Sequence, residues 1–352
     1  MSEVSEQLEI SRDAMTEYRA VREGGAGLID LGTRGRLNVS GSEAVQFLNG
    51  LITNDVKTLA AGAWMHAAFP NVQGRLLASV RVLHRADGFL FDTEAATREA
   101  VLKTLERFTL AGDFRVTDLT DELRCVSLQG ARAAEIMASV LGEEAASVAR
   151  VLVADVVWSG HAVAVIRATH TGEDGYDLFV NASAEKALRD ALTEAGAQPV
   201  GSEALEILRI EAGQPRFGID LDETNVVLEA GQDEAVSFTK GCYIGQEIIA
   251  RIHWRGHVAK RLAGLVLDEA GAIRRDDRVR SAEGKEIGRI TSAAFSPRLN
   301  RTVALGLIKY DFLADGTEAT VVSDEAEHRA RIEQLPLVRG GWHETSEPEN
   351  EA

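Results

Sequence analysis

Beyond His257 the chain becomes a succession of strand-like runs separated by turn residues, among them Leu262-Ala263-Gly264-Leu265-Val266-Leu267 and residues 317–322. No other feature restricts the fold as much, because short strands with frequent breaks must pair among themselves, and a segment of this size reads as a small β-barrel. Upstream the pattern is mixed. Ser40-Gly41-Ser42-Glu43 has the form of a capping box, and Ala44, Phe47, Leu48, Leu51 and Ile52 follow at helical spacing, which predicts an early helix. Between 63 and 119, two strand-like runs flank the turn Asn71-Val72-Gln73-Gly74. A second turn at Ala86-Asp87-Gly88 leads to Phe89-Leu90-Phe91, and a helix with Ala100, Val101, Leu105 and Phe108 follows. Strands at 123–128, 162–166 and 176–180 then alternate with helices at 131–141 and 184–195. Ser202 is placed to cap a helix whose Leu205, Leu208 and Ala212 face inward and which Gly213 ends.

The fold class is therefore α+β with a terminal β-module. At 352 residues the chain has room for two or three domains. We expect a lobe from 15–60 together with 122–250, an inserted α+β lobe at 61–121, a β-barrel at 258–338 and a Glu-rich disordered tail at 340–352. A net charge of −17 argues against nonspecific binding to nucleic acid or an anionic membrane, since both need a basic footprint. No run of about 20 apolar residues occurs, and the acidic start Met1-Ser2-Glu3 is unlike a signal peptide, so the expectation is a soluble, cytoplasmic chain. Two cysteines make no disulfide framework, and Cys125 falls in a core-strand pattern. Neither a phosphate-binding loop nor a dinucleotide fingerprint is present.

The other cysteine lies in Lys240-Gly241-Cys242-Tyr243-Ile244-Gly245-Gln246-Glu247. An apolar pattern at Ile248, Ile249 and Ile252 predicts that a helix starts at Gln246, which puts Cys242 just ahead of a helix N-terminus. The helix dipole and Lys240 would both favour thiolate, and Gly241 and Gly245 would let backbone approach a ligand closely. A free cysteine is more often a small buried hydrophobe, but these neighbours make Cys242 the candidate functional thiol. His253 and His257 have i, i+4 spacing, yet Gly256 intervenes and no fourth ligand suggests itself, so no metal site is expected.

The octapeptide, continued by Ile248-Ile249-Ala250-Arg251, resembles the signature of the YgfZ-type folate-binding proteins, a group of the glycine-cleavage aminomethyltransferase superfamily. Thr53-Asn54-Asp55-Val56, Thr171-Gly172-Glu173-Asp174-Gly175-Tyr176-Asp177, Leu208-Arg209-Ile210-Glu211-Ala212-Gly213 and Gly288-Arg289-Ile290-Thr291-Ser292 extend the resemblance over about 15–338. It implies a three-lobed fold with folate in a central channel and a C-terminal β-barrel. It also implies tetrahydrofolate as cofactor, with Asp177, Tyr176, Arg209 and Arg251 at its site and the Asp177 carboxylate on the pterin ring. The motif residues Lys240, Gly241, Cys242, Tyr243, Gly245, Gln246 and Glu247 would serve the thiol.

Two departures from the superfamily pattern bear on activity. Ala78 and Ser79 stand where its transferases carry paired aspartates, one of which activates the folate amine, and neither residue can exchange a proton near neutral pH. Val226-Val227-Leu228-Glu229 lacks the Pro-Glu pair common upstream of the cysteine motif. The basic island Arg251, Arg255, Lys260 and Arg261 could attract folate's glutamate tail. From the resemblance we expect a tetrahydrofolate-binding protein acting through Cys242 in assembly or repair of iron-sulfur proteins, with iron-sulfur client or assembly proteins as partners. The alternatives are a folate-dependent aminomethyltransferase or other one-carbon transferase using another catalytic group, and a noncatalytic folate-binding scaffold.

Overall fold

The computed structural model describes residues 10–324 and 326–344. Alternation along each strand sorts its side chains onto two faces, and that sorting explains the architecture. A six-stranded sheet runs, in spatial order, Gln198–Val200, Gly27–Asp30, Leu123–Gln129, Gly175–Asn181, His161–Arg167 and Val153–Trp158. Tyr176, Leu178 and Val180 point from it toward the helices Ala133–Leu141 and Ala182–Glu194, where they pack with Ile136, Met137, Leu188 and Leu192. Asp177 and Phe179 point the other way.

A second sheet has five strands in the order Trp64–Pro70, Leu76–Arg85, Gly88–Thr93, Gly35–Ser40 and Arg115–Asp118. Its outer face buries Val39, Phe69, Ala78, Val80 and Phe91 under Leu48 and Leu51 of helix Ala44–Leu51 and Val101 and Leu105 of helix Arg98–Glu106. Its inner face meets the inner face of the first sheet. Trp64, Leu83 and Leu90 pack there against Cys125, Ala164, Ile166 and Phe179, giving an apolar seam between the sheets.

The C-terminal segment is a closed six-stranded barrel, as its strand-like runs predict, with Leu265, Ile290, Ala304, Ile308, Val321 and Ile332 inside. Its seat against the rest of the chain is polar as well as apolar. Glu211, in helix Ser202–Glu211, accepts hydrogen bonds from Tyr18 (2.9 Å) and Ser296 and pairs with Arg22 at 2.9 Å. Asp220 accepts from Thr291 (2.7 Å) and Ser292 (2.6 Å) of the barrel and pairs with Arg209 at 2.8 Å. All four hydroxyl-bearing residues and both acids are buried.

Three local expectations are corrected. The early helix forms at Ala44–Leu51 without its capping box: Ser42 donates to the Asp113 carboxylate, and the Glu43 carboxylate accepts from the Asp113 N–H, so both side chains serve a contact with Asp113, just ahead of strand Arg115–Asp118. Ser202 is the first residue of its helix and makes no side-chain cap; Gly201 holds that position. Gly341–Glu344 form a helical turn where composition predicts disorder, and residues 345–352 of the expected tail lie outside the described residues.

Candidate functional site

Where the apolar seam between the sheets ends, the chain leaves a cavity of about 1450 Å³ between the two sheets, helix Ser202–Glu211 and the barrel. Its wall combines Trp64, His66, Ser79, Arg81 and Glu94 from the five-stranded side with His170 from the six-stranded side and Arg34 from the turn that joins the two sheets. Arg209, Arg216, Phe217, Arg261 and Tyr310 complete it from helix, loop and barrel. Trp64 is only 8% exposed, and its indole N–H has no hydrogen-bond partner among the described residues. His66 lies opposite Arg81 in register. Burial, together with the charges of Arg81 and Arg34, pushes its imidazole down to about 4, so it is neutral at physiological pH.

A buried ionic cluster forms the floor. Arg34 and Arg81 each lie 2.7 Å from Asp92, and Arg81 also pairs with Asp177 of the facing sheet. The His170 imidazole is 2.9 Å from the same Asp177 oxygen. Burial alone would raise the Asp177 carboxyl; His170 and Arg81 outweigh it and hold the group well below the usual carboxylate range. Asp177 has no exposed surface, so its carboxylate is closed to a ligand, and Arg81 and His170 stand at the cavity in its place. That corrects the direct pterin contact expected of Asp177. Tyr176 is corrected too: strand alternation turns it into the helix layer, where its hydroxyl donates to the Ala146 carbonyl at 2.6 Å.

Residues 6–240 match the GCVT N-terminal domain, and residues 260–338 match the glycine cleavage T-protein C-terminal barrel domain. The chain belongs to the glycine-cleavage T-protein family. It is 33% identical over 324 residues to the aminomethyltransferase of Rubrobacter xylanophilus, covering 92% of this chain and 86% of that one. It is 34% identical to the probable aminomethyltransferase of Natronomonas pharaonis, across 92% and 90% of the two chains. The crystal structure of the glycine cleavage system aminomethyltransferase T from Bartonella henselae has the same fold, with a TM-score of 0.84 at 24% identity over 93% of this chain and 90% of that one. The fold is thus aminomethyltransferase-like, as the resemblance implies. The finer YgfZ-type placement is not what these similarities single out. They also overturn the iron-sulfur reading: across both domains the likeness is to aminomethyltransferases, which favours the transferase alternative.

Within this T-protein family fold, the two positions that replace the paired aspartates face opposite ways. Ala78 is buried in the core of its lobe, whereas Ser79 lines the cavity and its hydroxyl lies 3.1 Å from the Gln232 side-chain oxygen. Only Ser79 therefore marks a missing cavity carboxylate. Val80 pairs with Thr93 and Arg81 with Asp92 across neighbouring strands, so one step further along this register Ser79 lies opposite Glu94. Glu94 is still in extended conformation, lines the same cavity, and accepts from the Phe217 N–H at 3.3 Å. Burial raises its carboxyl above the usual range against the opposing charge of Arg34. Sequence reading missed Glu94. Its only linear signal was an acid two residues beyond Asp92 at the end of a strand-like run.

The octapeptide that carried the YgfZ resemblance lies outside the cavity. Helix Gln246–Arg255 does start at Gln246, but its N-terminal end packs on the 71–74 turn: a Cβ on Gly245 would sit 2.4 Å from the Asn71 carbonyl oxygen. The close approach that glycine permits is backbone to backbone, and Gly241 has open space around its Cα. Lys240 is buried, donates to the Ile52 (2.9 Å) and Asn54 carbonyls, and covers the Tyr243 ring at 5.1 Å. Burial pushes its amine down to about 8. Cys242 is exposed, forms no bridge with the buried Cys125, and does not line the cavity. Gln246 begins the helix, and Glu247 pairs with Arg251 at 2.7 Å on its surface. Arg251 lies on that exposed surface and does not line the cavity, unlike the folate contact expected of it, while Arg209 does line the cavity, its guanidinium shared among Glu206, Asp220 and Ser292. The two histidines stack instead of converging, His253 on Phe238 and His257 on Tyr310 at 3.7 and 3.8 Å.

Proposed function

We propose that this chain is a tetrahydrofolate-dependent aminomethyltransferase whose reaction takes place in the central cavity. The observation that carries the reading is the cavity wall itself. Its volume of about 1450 Å³ exceeds the few hundred to about 1,000 Å³ usual for small-molecule sites, leaving room for a folate and a second substrate. Trp64 and Phe217 offer aromatic surface, and His170 and neutral His66 offer polar groups that suit a pterin edge. Arg216 and Arg261 are more exposed than Arg34, Arg81 and Arg209 and would meet an acidic glutamate tail. Asp177 has a positioning role here: it fixes Arg81 and His170.

In the proposed reaction an aminomethyl donor X–CH2–NH3+ gives its methylene to the two folate nitrogens, releasing X–H and ammonium. Calorimetry with tetrahydrofolate, paired with ammonia release from an aminomethylated donor, tests it. We expect saturable binding and folate-dependent ammonia release on the order of 1 per second or faster. Folate binding without ammonia release would overturn the transferase reading.

A further inference from the structure

We infer that Glu94 is the catalytic carboxylate of this chain, supplying from a neighbouring strand the group that Ser79 lacks. The inference rests on the transferase reading and deepens it. In an antiparallel pair, residues opposite each other share a face, and their Cβ atoms lie about 4.5–5.5 Å apart. A carboxylate moved from position 79 to position 94 therefore stays on the same wall, displaced by one strand and carried on a side chain one methylene longer than aspartate. Both residues line the cavity, and the strand ahead of Glu94 is pinned through Asp92 to Arg34 and Arg81. The side chain itself is steadied by the Phe217 N–H.

The chemistry asks for one proton-accepting group near the attacking amine. Glu94 takes the proton that the amine loses as its bond to the donor's methylene carbon forms. It returns that proton to the group that leaves with the bonding pair, so the carboxylate is regenerated each turnover. Its burial suits the exchange, because a carboxyl with a raised pKa holds and releases a proton more readily near neutral pH than an exposed one. Arg34, Arg216 and Arg209 are the charged groups facing it and keep the ionised form accessible. The other acids of the wall are placed differently: Asp30 and Glu206 pair with Arg189 and Arg209, Glu333 belongs to the barrel strand Ala326–Glu333, and Glu234 is exposed in the turn Asp233–Ala235.

The experiment uses the full chain in the aminomethyl-transfer assay, with folate affinity measured alongside. Glu94→Gln should lower kcat by about a hundredfold or more with KM and folate affinity little changed. Ser79→Asp added to Glu94→Gln should recover at least tenfold of that loss, because it returns a carboxylate to the same face. Three results would overturn the inference: wild-type kcat in Glu94→Gln, no recovery in a double variant that still binds folate, or the hundredfold loss in Glu234→Gln instead. If Glu94→Gln does not bind folate, Glu94→Asp decides, since a shortened carboxylate at the reacting atoms must slow kcat while a structural acid need not. A wild-type chain that binds folate and transfers nothing would instead sink the transferase reading.

Discussion

Arg81 in one sheet is ion-paired to Asp177 in the sheet that faces it, while its other guanidinium nitrogens hold Asp92 of its own sheet at 2.7 and 2.9 Å. One side chain thus ties the two inner faces together at the cavity floor. Removing it leaves, among the described residues, His170 as the basic group paired with Asp177 and Arg34 as the one paired with Asp92, both in buried surroundings. Arg81→Leu should cost about 3–5 kcal/mol of unfolding free energy, the usual result of breaking a buried pair from one side. Urea denaturation measures it. Arg81→Lys should recover only part of the loss, since a point charge cannot serve both carboxylates as a planar fork does.

The same cluster sets a pH dependence. Asp92 and Asp177 are both held below the usual carboxylate range, Asp92 by Arg34 and Arg81 against its own burial. A depressed folded-state pKa contributes stability that is complete above the unfolded value of about 3.9 and is lost as pH falls below it. Denaturation free energies across pH 3–7 should therefore drop at the acid end. Asp177→Asn should be less stable than wild type at pH 7 but decline less steeply on acidification; parallel curves would show that Asp177 does not titrate with folding.

Cys242 is exposed and away from the cavity, while Cys125 is fully buried and burial pushes its thiol up. An alkylating reagent should label Cys242 alone in the native protein and both cysteines after denaturation, as peptide mass analysis would show. Cys242→Ala should keep folate affinity and aminomethyl transfer within about twofold of wild type, as expected for an exposed site away from the chemistry. A large loss of transfer would return the thiol to the mechanism.

Gly245 is held at φ +77°, and an added Cβ would lie 2.4 Å from the Asn71 carbonyl oxygen. Gly245→Ala should destabilise the protein by about 1–3 kcal/mol, the range for an imposed left-handed residue, with the steric contact adding to it. Thermal unfolding measures the cost. Gly241→Ala, with open space around it, should be close to neutral.

What could be read from the linear chain followed the reach of each interaction. The barrel was legible because all its strands fall in one segment, 260–333, and pair only among themselves, and the helix at Gln246 because its apolar spacing is local. Tyr176 and Asp177 were correctly placed on a strand, but their surroundings were not, since Arg81 is 96 positions from Asp177. Glu94 was hidden for a related reason: it neighbours Ser79 only through strand register, which the sequence does not print. The Ser40–Glu43 pattern misled because the Glu43 carboxylate that the box needs accepts from the Asp113 N–H instead, beside a Ser42 hydroxyl that donates to the Asp113 carboxylate. The octapeptide misled in function for the same reason that it is recognisable: its glycine and lysine satisfy exacting backbone contacts.

The joint beneath the barrel also decides what can be exchanged between relatives. Glu211 and Asp220 belong to the helical layer, whereas Ser296, Thr291 and Ser292, which donate to them, belong to the barrel. A barrel grafted from a relative without those hydroxyls would leave two anions in a dry joint, each short of a donor. Compatible grafts are therefore recognised by three hydroxyls in register and not by overall identity, and chimaeras within the family succeed or fail at that joint.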